Sequence, residues 1–416
     1  MARLPSLSLS LCLACIFSPG GFATGADWPQ WRGPHRNGIS PDTGLLKEWP
    51  SDGPPLAWKT EGIGHGFSSI SISGSRIFTM GDGSDSSFIY ALDLKGKPLW
   101  AAKVGRPGGN DPERPGTRCT PTLDGDLVYA LGQYGDLVCV EAASGKEQWR
   151  KNLNQDFGGR MMSHWGNSES PLVDGERVLC TPGGSKGTLI ALNKKTGDVM
   201  WQSKELKDAA AYSSIIKAEI SGVPQYLQLT DASVAGVAVE DGRLLWRAPR
   251  RGSTAVVPDP IYHDNYVYVT SGYGIGCNLF KITKSGNEFA AEQVYANKVM
   301  VNHHGGVVLV GEHLYGFSDG KGWVCQEFKT GNMVWEEKQK LGKGSIVYAD
   351  GHLYLRTEGK GTVVLIEATT KGFIETGRFE QPDRSQMRSW AHPLVIGGNL
   401  YLRDQDVLLC YDVKQK

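Results

Sequence analysis

Imidazole, indole and guanidinium groups stand singly or in adjacent pairs along this chain, at Arg118, His164, Trp165, His303, His304, Trp390 and His392. Imidazoles bind metals, move protons and hydrogen-bond. Indole rings stack on planar ligands or on sugars. Arginine pairs with carboxylates. Most of these residues are separated by tens of positions, so the linear sequence alone assembles no site from them. Adjacent histidines in a strand point to opposite faces, so His303 and His304 are not expected to share an ion, and no metal site is predicted. No Ser/His/Asp order is legible, because a triad is a matter of geometry rather than spacing. Phosphate-cradling GxxxxGK[ST], haem-type CxxCH and paired CxxC patterns are absent.

Scattered residues can meet only in a fold that returns to one place at intervals. The chain carries such an interval. ALDLKGKPLW ends at Trp100, VEAASGKEQW at Trp149, ALNKKTGDVMW at Trp201, VAVEDGRLLW at Trp246 and QEFKTGNMVW at Trp335. In each, a glycine lies four residues before the tryptophan: Gly96, Gly145, Gly197, Gly242 and Gly331. The phrase reads as a β-hairpin, with the glycine supplying positive φ at the turn and the next strand burying a large ring. Weaker copies occupy 280–295 and 365–379. A second hairpin precedes each phrase, as in TPTLDGDLVYAL at 120–131 and HPLVIGGNLYLR at 392–403. Each unit is therefore four short strands in about 45 residues, the period of a propeller blade.

The third strands centre on Ala91, Val140, Leu192, Val237, Ile282, Gln326, Ile366 and Cys410, which gives eight units. The last lacks a fourth strand, and PPLAWKT at 54–60 supplies an orphan one. The prediction is all-β: one eight-bladed antiparallel β-propeller over 54–416, whose closing blade is shared by N- and C-terminal strands. Closure removes free sheet edges. Residues that begin the inner strands should then ring one mouth of the central channel, a concave default for ligands. His65, Phe67, Arg118, His164, Trp165, Tyr212, Thr254, His303, His304, Ser345, Trp390 and His392 hold those places, five of the nine histidines among them. Charged loops at 104–116 and 153–163 open on the same face.

The repeat phrase resembles the pyrroloquinoline-quinone-like propeller repeat. That repeat occurs in quinoprotein alcohol dehydrogenases and in the outer-membrane assembly factor of the Bam complex. The opening DWPQWRGPHRNGIS resembles exported bacterial members of planctomycete type. The resemblance covers roughly 55–413. For the dehydrogenases it implies a quinone over the channel, a calcium ion, an adjacent-cysteine disulfide and an aspartate base. This chain has no adjacent cysteine pair, and no catalytic residue carries over.

Lys+Arg and Asp+Glu both number 44, so formal charge is zero, and no nucleic-acid partner is expected. Residues 1–26 read as a signal peptide, with an apolar run from Leu7 to Phe17 and a cleavage site at Ala23 or Ala26. The expectation is an exported, periplasmic or extracellular monomer without a transmembrane segment; a lipid anchor on Cys15 is the rival reading. Cys139, Cys325 and Cys410 occupy a slot that Ala91 and Ala191 fill elsewhere, so they read as small buried hydrophobes; a bridge between Cys119 and Cys139 stays open. Residues 27–53 form a strap containing WPQWRGPHRNG at 28–38. Its prolines should keep it extended, and it is expected to clasp the propeller by burying Trp28 and Trp31. Function is expected to be binding or scaffolding, with the histidine- and tryptophan-rich mouth offered to a protein, glycan or small ligand and no cofactor. The alternative is a dehydrogenase using pyrroloquinoline quinone with calcium.

Overall fold

The computed structural model describes residues 27–108 and 116–416. The signal segment with Cys15, and Asp111, Glu113 and Arg114 of the first charged loop, lie outside the described residues. Eight antiparallel sheets of four strands form the ring. Blades 1 to 7 run over 71–105, 122–152, 172–202, 216–249, 261–297, 307–337 and 344–380. Blade 8 joins Leu394–Ile396, Asn399–Asp404 and Val407–Asp412 to the N-terminal strand Leu56–Thr60. Trp58 pairs with Cys410 and Thr60 with Leu408 across that closure. Each predicted third strand falls on the third strand of a blade, including the weak copies in blades 5 and 7.

The repeat phrase has a three-dimensional meaning beyond a hairpin. Its tryptophan pairs across the third and fourth strands with a small residue: Ala91 opposite Trp100, Cys139 opposite Trp149, Ala191 opposite Trp201, Gly236 opposite Trp246 and Cys325 opposite Trp335. A register shift follows at once in each of these blades. The bulge pushes one apolar residue outward, which is why Leu99, Met200 and Val334 are exposed. The six cysteines among the described residues are free and buried, Cys119 and Cys139 included. Opposite a tryptophan, the slot admits only a small side chain.

In four places a ring then reaches the turn glycine of the next blade. A Cβ on Gly96 would fall 2.6 Å from Trp58, on Gly145 2.6 Å from Trp100, on Gly197 2.9 Å from Trp149 and on Gly242 2.4 Å from Trp201. Trp100 and Trp149 donate their indole N–H to Ala142 O and Lys194 O, again one blade on. Blade 7 lacks the tryptophan: Gly377 pairs with Leu365 in its place. Trp49 of the strap fills the gap, 2.7 Å from where a Gly377 Cβ would be and 5.4 Å from the Phe379 ring. Buried arginines add further staples. Arg403 of blade 8 donates to Gly64 O and Ser68 O ahead of blade 1, and to Thr79 Oγ1 and Met80 O within it.

Replacing Gly242 by alanine forces a Cβ into Trp201 at a φ of +72°, and should cost about 2–4 kcal/mol in urea unfolding, from left-handed strain plus overpacking. Gly286→Ala, at φ +59° with nothing within 4 Å, should cost about 1–2 kcal/mol. Equal costs would remove the stacking account.

Candidate functional site

The inner strands begin with a belt of polar residues that face the channel. Ser69 N donates to Thr120 Oγ1 (3.2 Å), Thr120 N to Ser170 Oγ (2.9 Å), Ser170 N to Ser214 Oγ (3.0 Å) and Ser214 N to Asp259 Oδ1 (2.6 Å). Each bond crosses from one blade to the next. Ser69 Oγ closes the belt backward onto His392 O at 3.0 Å. Four of these residues, Thr120, Ser170, Asp259 and His392, stand immediately before the proline that opens an inner strand.

The N-terminal strap runs through this belt as a hub. Trp28 exchanges two 2.8 Å backbone bonds with Ile72 of blade 1, and Pro29 O accepts from Leu123 N of blade 2. Arg36 Nη1 reaches Ser170 O and Ile215 O, both at 3.0 Å, at the entries to blades 3 and 4. Trp31 Nε1 donates to Asp259 Oδ2 at 2.7 Å, just ahead of blade 5. Arg32 reaches Val307 O of blade 6. Ser40 N and Leu46 N bond to Tyr348 O and Val413 O of blades 7 and 8, both at 2.8 Å. The segment is not extended as the prolines suggested: residues 31–36 fold in successive turns, with Arg32 and Arg36 at φ +57° and +54°. Coiling lets one short stretch aim two guanidinium groups and two indoles at different blades.

Above the strap lies a cavity of about 170 Å³. Its floor is Trp31, Asp259 and His392; its wall carries Phe67, Arg118, Trp165, Tyr212, Tyr273, His303, His304 and Trp390. Six of the seven expected site residues are thus brought together. His164 is not among the lining; it is exposed, with its ring 5.0 Å from that of Trp165. His65 is exposed as well, and Thr254 and Ser345 do not line the cavity. His303 and His304 do not point to opposite faces. Residues 301–306 are not strand, and both rings reach the cavity with centroids 4.7 Å apart. The wall is a chain of ring contacts: Phe67 to Trp390 at 4.6 Å, Trp390 to His304 at 5.0 Å, His303 to Tyr273 at 4.7 Å and Trp165 to Tyr212 at 6.3 Å. Arg118 links Phe67, 5.9 Å from its ring, to Trp165, whose carbonyl accepts at 3.0 Å.

Charges are settled behind these surfaces. Burial pushes the Asp259 carboxyl up, against the pull of Arg32 and the bonds from Ser214 and Trp31. Burial, and then Arg32, pull His392 down to about 3, so it is a neutral imidazole; its Nε2 donates to His304 O at 3.0 Å. Glu358 bridges His304 Nε2 at 2.6 Å and Trp390 Nε1 at 2.8 Å. Burial opposes its ionisation, but those bonds hold it down to about 2. Glu169, whose Oε1 accepts from Thr181 N, is lifted by burial to about 7. Asp259, Tyr273 and Glu358 were not singled out from the sequence, and Trp31 was singled out as part of the clasp rather than of the site. The polar residue before each strand-opening proline was the available signal for Asp259; nothing local marks Tyr273 or Glu358.

A calcium-bound quinone needs several oxygen donors around the ion. The lining supplies one carboxylate, Asp259, with both oxygens engaged. Among the described residues no three His, Cys, Asp or Glu side chains gather as a metal site. The residues present do not fit that pair.

Fold and repeat define a propeller of the pyrroloquinoline-quinone-like repeat class. The family model described as outer membrane protein assembly factor BamB matches residues 84–337, and the chain belongs to that family. It is 23% identical over 252 residues to BamB of Shewanella oneidensis, a match covering 58% of this chain and 60% of that protein. It is 26% identical over 203 residues to quinoprotein alcohol dehydrogenase PedH of Pseudomonas putida, covering 42% and 30%. The matches thus span less than two thirds of these relatives' own length. The crystal structure of BamB from Moraxella catarrhalis superposes with a TM-score of 0.62 at 14% identity, over 86% of this chain and 99% of that one. Quinohemoprotein alcohol dehydrogenase from Comamonas testosteroni gives 0.63 at 12%, over 94% and 81%. Both share the fold. No helix among the described residues is long and apolar enough to cross a membrane.

Deleting 27–40 removes contacts with blades 1 to 7 at once and should lower the calorimetric midpoint by at least about 10 °C. An unchanged midpoint would deny the strap its role as hub. Glu169 binds its proton more tightly folded than unfolded, so its contribution to stability is full below the unfolded value of 4.5 and is lost as pH rises through about 7. Glu169→Gln should therefore gain stability relative to the parent between pH 4.5 and 7, read from paired urea melts. A pH-independent difference would contradict the assignment.

Proposed function

We propose that this protein is an exported, periplasmic or extracellular binding propeller that seats its ligand in the strapped channel cavity, without quinone chemistry. The observation that carries this reading is the strapped cavity itself. Trp31 of the strap lines it, and its wall gathers recognition groups from several blades rather than an acid, a base and a metal cage. Its kinship with BamB, named as an assembly factor, favours a protein partner that presents a segment to the mouth. The second reading, a quinone-dependent alcohol dehydrogenase, is favoured by the match to PedH and opposed by the donor set.

Pyrroloquinoline quinone and calcium titrated into the purified protein should give no stoichiometric absorbance change. Dye-linked oxidation of short-chain alcohols should stay at background. Saturable cofactor binding with turnover would replace the binding reading by the dehydrogenase one.

A further inference from the structure

The polar groups of the cavity floor are already engaged. Asp259 accepts from Trp31 and Ser214, and His392 donates to His304 O. Ser168 Oγ and His304 Nδ1 have no partner among the described residues, but both lie out of water's reach. A sugar entering here would surrender hydrogen bonds to water along its whole edge without regaining them, at roughly 1–3 kcal/mol for each group left unpaired. A charged ligand would disturb a floor where the Asp259 carboxylate is already balanced by Arg32. What the cavity offers freely is ring surface. Its aromatic wall is tilted or edge-to-face at 4.6–5.0 Å, which presents both the electron-rich faces and the electron-poor edges that another ring can meet.

Backbone strain marks the same place. Ten non-glycine residues have positive φ among those described. Six are Ser, Asp, Asn or Gln. The others are the strap's Arg32 and Arg36, and Thr254 and Tyr273. Ala255 and Val257, beside Thr254, line the cavity. Tyr273 sits at φ +56° between Gly272 and Gly274, with its ring set edge-on to His303. It remains 43% exposed, so burial does not offset a left-handed conformation that costs a side-chain-bearing residue about 1–2 kcal/mol. A strained aromatic left 43% exposed at a cavity lip stands where an incoming ring can meet it.

We infer that the occupant of the cavity is an uncharged aromatic ring, seated on Trp31 and flanked at the lip by Tyr273. It is carried either by a side chain of another protein or by a free small molecule. This rests on the binding-propeller reading and narrows it away from glycans.

Indole, p-cresol, N-acetyltryptophanamide and cellobiose, titrated calorimetrically with ligand-observed NMR competition, test it. The aromatic probes should bind at one shared site and cellobiose should not displace them. Tighter binding of N-acetyltryptophanamide than of indole assigns the ring to a presented side chain, and the reverse to a free molecule. Tyr273→Gly should weaken aromatic binding about threefold to tenfold, while the thermal midpoint holds or rises. Aromatic probes inert to about 5 mM, or cellobiose bound in their place, would overturn the inference. So would Tyr273→Gly lowering the midpoint with affinity unchanged. Quinone turnover would sink the binding reading as a whole, whereas inert aromatics with inert quinone remove only this occupant.

Discussion

A tryptophan at the outer strand of one blade lies against the turn glycine of the next, and the ring depends on that contact. It joins blades that share no backbone ladder. It also sets two local rules at once: a small residue opposite the indole within its own sheet, and no Cβ beneath it in the neighbour. Trp201, with Ala191 across the sheet and Gly242 below, satisfies both. Burial of each such ring contributes roughly 2–3 kcal/mol. The repeat omits the tryptophan in blades 5 and 7: Tyr295 takes its place against Gly331, and Trp49 is delivered from outside the repeat to the place left by Gly377. The constraint is on the space between blades, and the chain fills it from whichever segment can reach.

The stacked periphery leaves the centre to be held by other means. Inner strands diverge around a channel, and the backbone N–H groups at their entries donate sideways to the next blade's side chains, from Ser69 through Thr120, Ser170 and Ser214 to Asp259. The strap then ties opposite sides of this belt through Arg36, Trp31 and Arg32. Burying two guanidinium groups carries a large desolvation cost. Carbonyls that would otherwise face an empty channel, together with Asp259 and Glu169, offset it. The same segment lines the cavity through Trp31, so structural closure and the cavity share a residue.

The fold was legible in unusual detail because a propeller repeats its physics in sequence: one strand alternation, one turn glycine and one ring, copied at a fixed period. The closing blade followed from counting, since seven complete units and one short of a strand leave PPLAWKT without a place elsewhere. The candidate site was legible only as a list. Arg118, Trp165, His303, His304, Trp390 and His392 could be assigned to the start of inner strands, and they meet there. His164 had the same credentials and lies outside the cavity, because the rotation of a loop residue about its own backbone is not a periodic property. Asp259 was marked only by its place before a proline, and Glu358 not at all, for a related reason: their roles are defined by partners 228 residues away in one case and 54 in the other.

By itself the sequence determined the architecture and its order, because period, turn chemistry and ring spacing are local quantities that the chain states in five clear copies and two weaker ones. It also determined that WPQWRGPHRNG lay outside the repeat. Only the tertiary structure decided what that stretch does. An isolated segment rich in arginine and tryptophan has no partners of its own; its guanidinium and indole groups take their meaning from carbonyls and carboxylates that the eight blades bring to a common axis. The stretch became the hub of the ring and the floor of its cavity because long-range closure put unmet hydrogen-bond acceptors in the channel, within reach of the one segment free to enter it.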